Sequence, residues 1–433
     1  MKKNVYSLLL ILSALLIISS LISYILGNIT LMGWLLIGGF IALATGVRGS
    51  SRFRGLSYTL WIFTAVVVSM FYPQYLTHIG NFKLSRLITP LLQLIMFGMG
   101  SQMSFNDFAG IIKMPKGVII GVVAQFTIMP LVALAIANIF SFPPEIAAGI
   151  ILIGCVPSGL ASNVMSFLAR ANVPLAVTLA AITTLLSPLI TPLLMEKLAG
   201  QFIDIDFWSM MLDILNMIIL PIVAGFIFNL FLKKEATGKS KLIQLISYPL
   251  VMILTGLVYV KAKDAGLSQF LIQLLKMLLI FYLLPMAGGT LFLKVFGGDK
   301  KIMEKILSMV SMVGIALIVA VITASGRDSL MSVGVLLVCT SILHNLTGYT
   351  VGYLLAWLLR MPERDRRTIA FEVGMQNGGL ASGLANQMGK LATVGLAPAI
   401  FGPLMNITGS VLANWWRGRP VKGEVASALR ASQ

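Results

Sequence analysis

Phe371-Glu372-Val373-Gly374-Met375-Gln376-Asn377-Gly378-Gly379-Leu380-Ala381-Ser382 sets an acid and two amides inside apolar sequence, with two glycines behind them. A carboxylate at bilayer depth costs roughly 2.5–3.5 kcal/mol on insertion scales, so it is rare without a task. The glycines free the backbone to leave the helix, which predicts a helix broken at Gly378-Gly379. A buried acid beside a broken helix is the pattern of an ion or substrate site near the bilayer midplane.

A second stretch matches the first. Pro157-Ser158-Gly159-Leu160-Ala161-Ser162-Asn163 shares Gly-Leu-Ala-Ser with Gly379 to Ser382. Each copy interrupts an apolar span, 144–170 and 364–390. Each is followed by a short half-helix, a basic residue (Arg170, Lys390) and a further apolar span. The two copies run in opposite directions across the membrane on the topology below, which is the mark of an inverted repeat.

The surrounding chain has the composition of a membrane protein. Of 433 residues, 58% are hydrophobic and 11% charged, against about 25% charged in a soluble domain. The runs have the length of membrane helices and exceed that of barrel strands. Spans are expected at 5–26, 31–47, 58–76, 86–103, 117–141, 144–170, 173–198, 207–232, 241–262, 271–297, 302–325, 328–360, 364–390 and 391–416, about fourteen in all. A signal peptide is the alternative for 5–26, but the run is long for one and no A-x-A-like site follows.

The net charge of +17 lies in short basic loops between the spans, so it is a topology signal and excludes nucleic acid as the partner. With both termini in the cytoplasm, every basic residue except Lys83, Arg86, Lys197, Lys261, Lys263, Lys276, Arg327 and Lys390 falls inside. The strongest inside loops are Arg48…Arg52…Arg54, Lys233-Lys234…Lys239…Lys241, Lys300-Lys301…Lys305 and Arg364…Arg366-Arg367. A basic tail follows Trp415-Trp416. Cys155 and Cys339 read as free thiols in apolar segments, and His78 and His344 offer no zinc-ligand or Cys/His catalytic spacing.

Glu372, Gln376 and Gln125 could replace the water shell of a sodium ion, together with carbonyls freed at the helix break, because hard cations take oxygen ligands. The plainer alternatives are a snorkelling Glu372, less than two turns beyond Arg366-Arg367, and a Gln125 that bonds a neighbouring helix. Ser162-Asn163 and Asn377-Gly378 stand near the starts of half-helices, where free N–H groups and the positive dipole end attract an anion. Plain helix capping is the alternative there. Asn406 is a further pocket candidate. His344-Asn345 reads as an interhelical hydrogen-bonding pair, and Asp204, Asp206 and Asp213 as markers of the outer interface.

At Ser158 to Met165, at Arg366-Arg367-Thr368 with Glu372 to Asn377, and at Ala124-Gln125-Phe126…Met129-Pro130, the chain resembles the bile acid:sodium symporter family. The resemblance runs from about residue 58 to 417. It implies an all-α polytopic membrane protein of ten spans in two inverted five-helix repeats, divided into a panel and a core in which two broken helices cross. Four spans are then additions: a pair in 1–55 and a hairpin at 241–297. The first repeat would be 56–200, the second 201–417, and 418–433 a cytoplasmic tail.

By the same resemblance, one sodium would be held by Gln125, Glu372, Gln376 and the backbone of Val373 and Met375. A second would take Ser162, Asn163, Glu372 and two hydroxyls whose positions fall here on Ala176 and Ala180, which have none. Thr178 and Thr183 lie nearby on other helix faces. Leu160 stands where the family often has Thr. The substrate site would comprise Ser162, Asn163, Asn377, Gly378 and Asn406.

The expectation is therefore a sodium-coupled symporter of a small organic anion, such as a bile acid, pantoate-like acid or keto acid. It would lie in the inner (plasma) membrane, with sodium as coupling ion and no cofactor. Oligomeric state has no signal in the sequence. Proton-coupled or sodium-independent transport or export is the alternative reading. An intramembrane enzyme or sensor is a distant one, since no Ser/His/Asp or metal-ligand set is visible.

Overall fold

The computed structural model describes residues 2–50, 56–103, 110–232, 238–419 and 421. Arg52, Arg54, Lys233, Lys234 and nearly all of the basic tail lie outside the described residues. Among those described the chain is almost wholly helical, and ten helices are long and apolar enough to cross a membrane. Each expected span has a helical counterpart.

The chain opens with α1 (Lys2–Ile25) and α2 (Ile29–Gly46), then α3 (Leu56–Phe71). A two-residue β-hairpin, His78–Ile79 with Phe82–Lys83, leads into α4 (Ile88–Gln102). After α5 (Pro115–Ile139) comes a broken pair, α6 (Pro144–Cys155) and α7 (Leu160–Leu168), and then α8 (Val173–Leu194). A π-helical turn joins α9 (Phe207–Ile214) to α10 (Leu220–Leu232). Next are α11 (Gly238–Lys263), and α12 (Leu267–Leu278) running through a second π turn into α13 (Leu284–Phe296). The long α14 (Lys300–Ser325) and α15 (Arg327–Leu358) precede a second broken pair, α16 (Glu363–Gly374) and α17 (Gly378–Gln387), and α18 (Leu396–Arg417) closes the fold.

Boundaries follow local chemistry. The side chains of Asn28, Asn172, Asp206, Asp299 and Asn377 each accept an N–H of the first helical turn behind them. Pro115, Pro144 and Pro174 sit in first turns, where no N–H is needed.

The helices sort into two layers. In one, α3 packs on α14, α14 on α4 and α4 on α10. The α1–α2 hairpin extends this row beyond α3, and α11 to α13 extend it beyond α9 and α10. Backbones of α4 and α10 nearly touch: a Cβ on Gly100 would lie 2.2 Å from the Ile222 carbonyl oxygen, and one on Gly225 2.3 Å from that of Phe97. Small residues that let backbones approach are how helices associate where lipid and side chains are equally apolar. In the other layer α5, α8, α15 and α18 surround the two broken pairs.

The breaks are where the chain departs from its expected geometry. The first falls as expected, between Cys155 and Leu160. The second is Met375 to Asn377, ahead of the glycines, which form the first turn of α17. The reason is pairing. Ser158 and Gln376 form an antiparallel bridge in which Gly159 N–H donates to Met375 O at 3.0 Å and Asn377 N–H to Pro157 O at 2.9 Å. The two gaps satisfy each other's backbone, which a membrane interior demands. Asn377 then caps α17 by accepting from Leu380 N–H at 3.0 Å.

The ends of the broken pairs are also tied crosswise. Beyond α7, Asn172 donates to Asp365 at 2.7 Å and its backbone exchanges hydrogen bonds with Thr368, both near the start of α16. Beyond α17, Lys390 pairs with Glu145 at the start of α6.

Candidate ion and substrate site

Glu372 lies in the last turn of α16 and is only 2% exposed, so it does not snorkel. Its carboxylate accepts from Ser158 Oγ at 2.6 Å and from Ser162 Oγ at 2.5 Å. Both donors are neutral. Arg367, the buried cation of the same helix, is spent elsewhere: it pairs with Glu363 at 2.9 Å, bonds three backbone carbonyls and lies over Trp416.

Two glutamines continue the cluster, and their amide orientations are forced. Gln376 Nε2 donates to Val373 O at 2.6 Å, so its Oε1 is free to accept from Gln125 Nε2 at 2.7 Å. The same Gln125 nitrogen donates to Val156 O at 3.0 Å, at the end of α6. Carbonyl oxygens only accept, so each nitrogen must face its carbonyl. Gln125 Oε1 is thereby left buried without a partner. An orphaned buried acceptor wants a cation or a donor.

The sodium ligands expected from the sequence are thus partly assembled. Gln125, Gln376, Val373 and Met375 cluster about the gap that follows Glu372, and Ser162 joins Glu372 directly. Ser158 is a contact that sequence reasoning missed; its place opposite Gln376 in the matched motif was the available signal. Asn163 does not reach the carboxylate by any hydrogen bond in the structure, and its Oδ1 is buried without a partner. Ala176 and Ala180 are buried on α8, while Thr178 and Thr183 donate back to Pro174 O and Leu179 O of their own helix. Among the described residues, no group of three His, Cys, Asp or Glu could hold a metal.

Between the two layers lies a cavity of about 320 Å³. Asn377, Gly378 and Asn406 line it, as expected of a substrate site, with Gln376, Ser382 and Leu160. Ser162 does not; it is buried beneath Glu372. The starts of both α7 and α17 reach the cavity, and among the described residues no charged side chain lines it. The wall from α3, α4 and α14 is largely apolar: Ile62, Leu92, Ile95, Met96, Ile315 and Ile318, with Tyr58 and Thr59 of α3 beside them. His344 bonds Met129 O at 3.0 Å and Asn345 donates to Gly374 O at 2.7 Å, the interhelical contacts expected of that pair.

Comparison with known proteins bears on this geometry. Residues 89–270, from α4 to the start of α12, match the model of the sodium bile acid symporter family. Over 382 residues the chain is 34% identical to the "Uncharacterized sodium-dependent transporter YocS" of Bacillus subtilis (strain 168), covering 88% of this chain and 97% of that one. The chain belongs to the sodium bile acid symporter family. It is also similar to the Arabidopsis thaliana protein named "Probable sodium/metabolite cotransporter BASS1, chloroplastic", 30% identical over 75% of this chain and 65% of that protein. A rice (Oryza sativa subsp. japonica) protein of the same name is 26% identical over 88% of this chain and 79% of its own length. Membership makes the chain a polytopic membrane transporter, and an enzyme is an unlikely reading of it.

Proposed function

We propose that the protein is a sodium-coupled symporter of a compact organic anion in the plasma membrane, with fourteen crossings and both termini cytoplasmic. One observation carries the proposal. Glu372 is a buried carboxylate whose hydrogen-bond partners are two serines and no cation. A buried charge is paired or coordinates a metal ion, and the oxygens around this one come from neutral groups. That donor set suits a hard monovalent cation. The relatives named for sodium-dependent transport and sodium/metabolite cotransport support sodium as the ion.

The substrate follows from the cavity. Two half-helix N-termini bring partial positive charge to one end, where Asn377 and Gly378 would meet a carboxylate or sulfonate. The largely apolar wall would take the body of the molecule. About 320 Å³ is at the small end for ligand pockets, which favours a compact acid over a bulky one. Glu372, Gln376, Gln125 and the carbonyls of Val373 and Met375 would hold the ion; Asn377, Gly378 and Asn406 would hold the anion. Ser162 belongs on this reading with the ion, beside Ser158.

The inverted repeats 56–200 and 201–417 would supply the machinery. Because the cavity lies between the layers, rocking of one against the other opens it to alternate sides, biased by joint binding of ion and anion. The α1–α2 hairpin and the segment 241–297 would enlarge the outer layer.

The test is a thermal-shift screen of the purified chain against organic anions, in sodium and in choline at equal ionic strength. A ligand of the folded state raises its stability by mass action. The reading expects at least one small organic anion to raise the midpoint more in sodium than in choline. Anions that act equally in both salts, with a response only to a pH change, would instead favour proton coupling.

A further inference from the structure

We propose that Asn345 and Thr408 are positioning residues of the ion site, a two-step clamp that fixes the backbone at the end of α16; this rests on the sodium reading above. The chain leaves the helix at Gly374, and three successive carbonyls there lose their helical partners. Two are satisfied from within the crossing itself: Val373 O by Gln376 Nε2 at 2.6 Å, and Met375 O by Gly159 N–H at 3.0 Å. The third, Gly374 O, accepts from Asn345 Nδ2 of α15 at 2.7 Å. Of these three carbonyls it is the one held, among the described residues, by a helix outside both broken pairs.

The clamp has a second stage. Gly374 O can only accept, so Asn345 must turn its nitrogen toward it and its oxygen away. Asn345 Oδ1 then accepts from the Thr408 hydroxyl of α18. The hydroxyl's other partners are the carbonyls of its own helix, Leu404 O at 3.1 Å and Met405 O at 3.2 Å, and the Tyr349 hydroxyl at 3.5 Å. Thr408 thus selects the amide orientation that holds the carbonyl. Packing closes the arrangement. Asn345, Gly348 and Tyr349 share one face of α15, and that face meets Gly374: a Cβ on Gly374 would lie 2.2 Å from Tyr349 Cδ1. Tyr349 OH donates to Met405 O at 3.2 Å.

The first broken pair carries the same device. Gln125 of α5 donates to Val156 O at 3.0 Å, and Thr191 of α8 donates to Cys155 O at 2.8 Å. In both breaks an amide from the preceding long helix bonds a freed carbonyl; the hydroxyl of the following helix bonds a second carbonyl at the first break and the amide itself at the second. Gln125 also faces the ion cluster. Among the described residues no hydrogen bond joins Asn345 to Glu372, so Asn345 acts on the site through the Gly374 carbonyl.

The probe is sodium itself. Thermal midpoints of the full chain in detergent are titrated with sodium chloride against choline chloride at constant ionic strength. Wild type should rise with sodium. Thr408→Val, which keeps the shape and removes the donor, should raise the half-effect sodium concentration by about 10-fold, the scale of losing a ligand's supporting partner. Thr408→Ser should restore it. Asn345→Ala should shift it in the same direction, and Thr408→Val carries the test should that variant fail to fold. A Thr408→Val protein with the wild-type half-effect concentration overturns the clamp, even if its midpoint in choline has dropped. A wild-type midpoint indifferent to sodium overturns the sodium reading itself, and the clamp with it.

Discussion

At the scale of single residues, the site is a set of oxygens whose directions are fixed by what they cannot do. Glu372 holds two serine hydroxyls, and the two glutamines are locked by carbonyls that only accept. Removing Ser158 Oγ strips one carboxylate oxygen of its donor at 2.6 Å. Ser158→Ala should cost about 1.5–3 kcal/mol, the range for hydrogen bonds to charged groups. A lower thermal midpoint in detergent checks this. Ser410→Ala is the matched comparison: among the described residues its hydroxyl has only the Met165 sulfur at 3.8 Å, and the change should stay within about 0.5 kcal/mol. Equal midpoints for the two variants would contradict the account. Glu372, Gln376 and Gln125 stood out in the sequence because polar groups are rare in such apolar runs. Ser158 did not, since serine is common at helix breaks and its reach to Glu372 depends on a partner 214 positions away.

At the scale of elements, the apolar runs made the helices legible to within a few residues, because a span needs only local sequence. The breaks were harder. Gly378-Gly379 marked the right neighbourhood but sit inside α17, beyond a three-residue gap after α16. The gap is placed by pairing with Pro157 to Gly159, a contact between distant segments that no local pattern contains. Packing between helices was equally hidden. Gly100 looks like any other of the 40 glycines, yet it marks where α4 meets the backbone of α10. Gly100→Ala would set a methyl 2.2 Å from Ile222 O, and such overpacking should cost about 1–3 kcal/mol. Gly402→Ala, facing open space, should be neutral or slightly stabilising, since Ala is the better helix former. Comparison of the two midpoints decides it, and a Gly100→Ala protein as stable as wild type would remove the close α4–α10 contact from the account.

At the scale of the whole molecule, two layers enclose a cavity, and the ion cluster lies at the crossing behind it. A pair of broken helices was expected from the repeated Gly-Leu-Ala-Ser and its opposite direction, and their crossing from the family resemblance. The lateral order of helices was not, because neighbours in a membrane are chosen by close packing rather than by hydrophobicity. On the proposed function the layered design would make sodium and anion binding one event, since Asn377 follows Gln376 directly and caps the half-helix that lines the cavity. The most direct measurement of that coupling is uptake of an anion identified by the thermal screen into proteoliposomes, under an inward sodium gradient, by wild type and by Glu372→Ala. The account predicts sodium-driven accumulation by wild type and none by the variant, with the variant still folded and monodisperse. Accumulation by Glu372→Ala equal to wild type would contradict it.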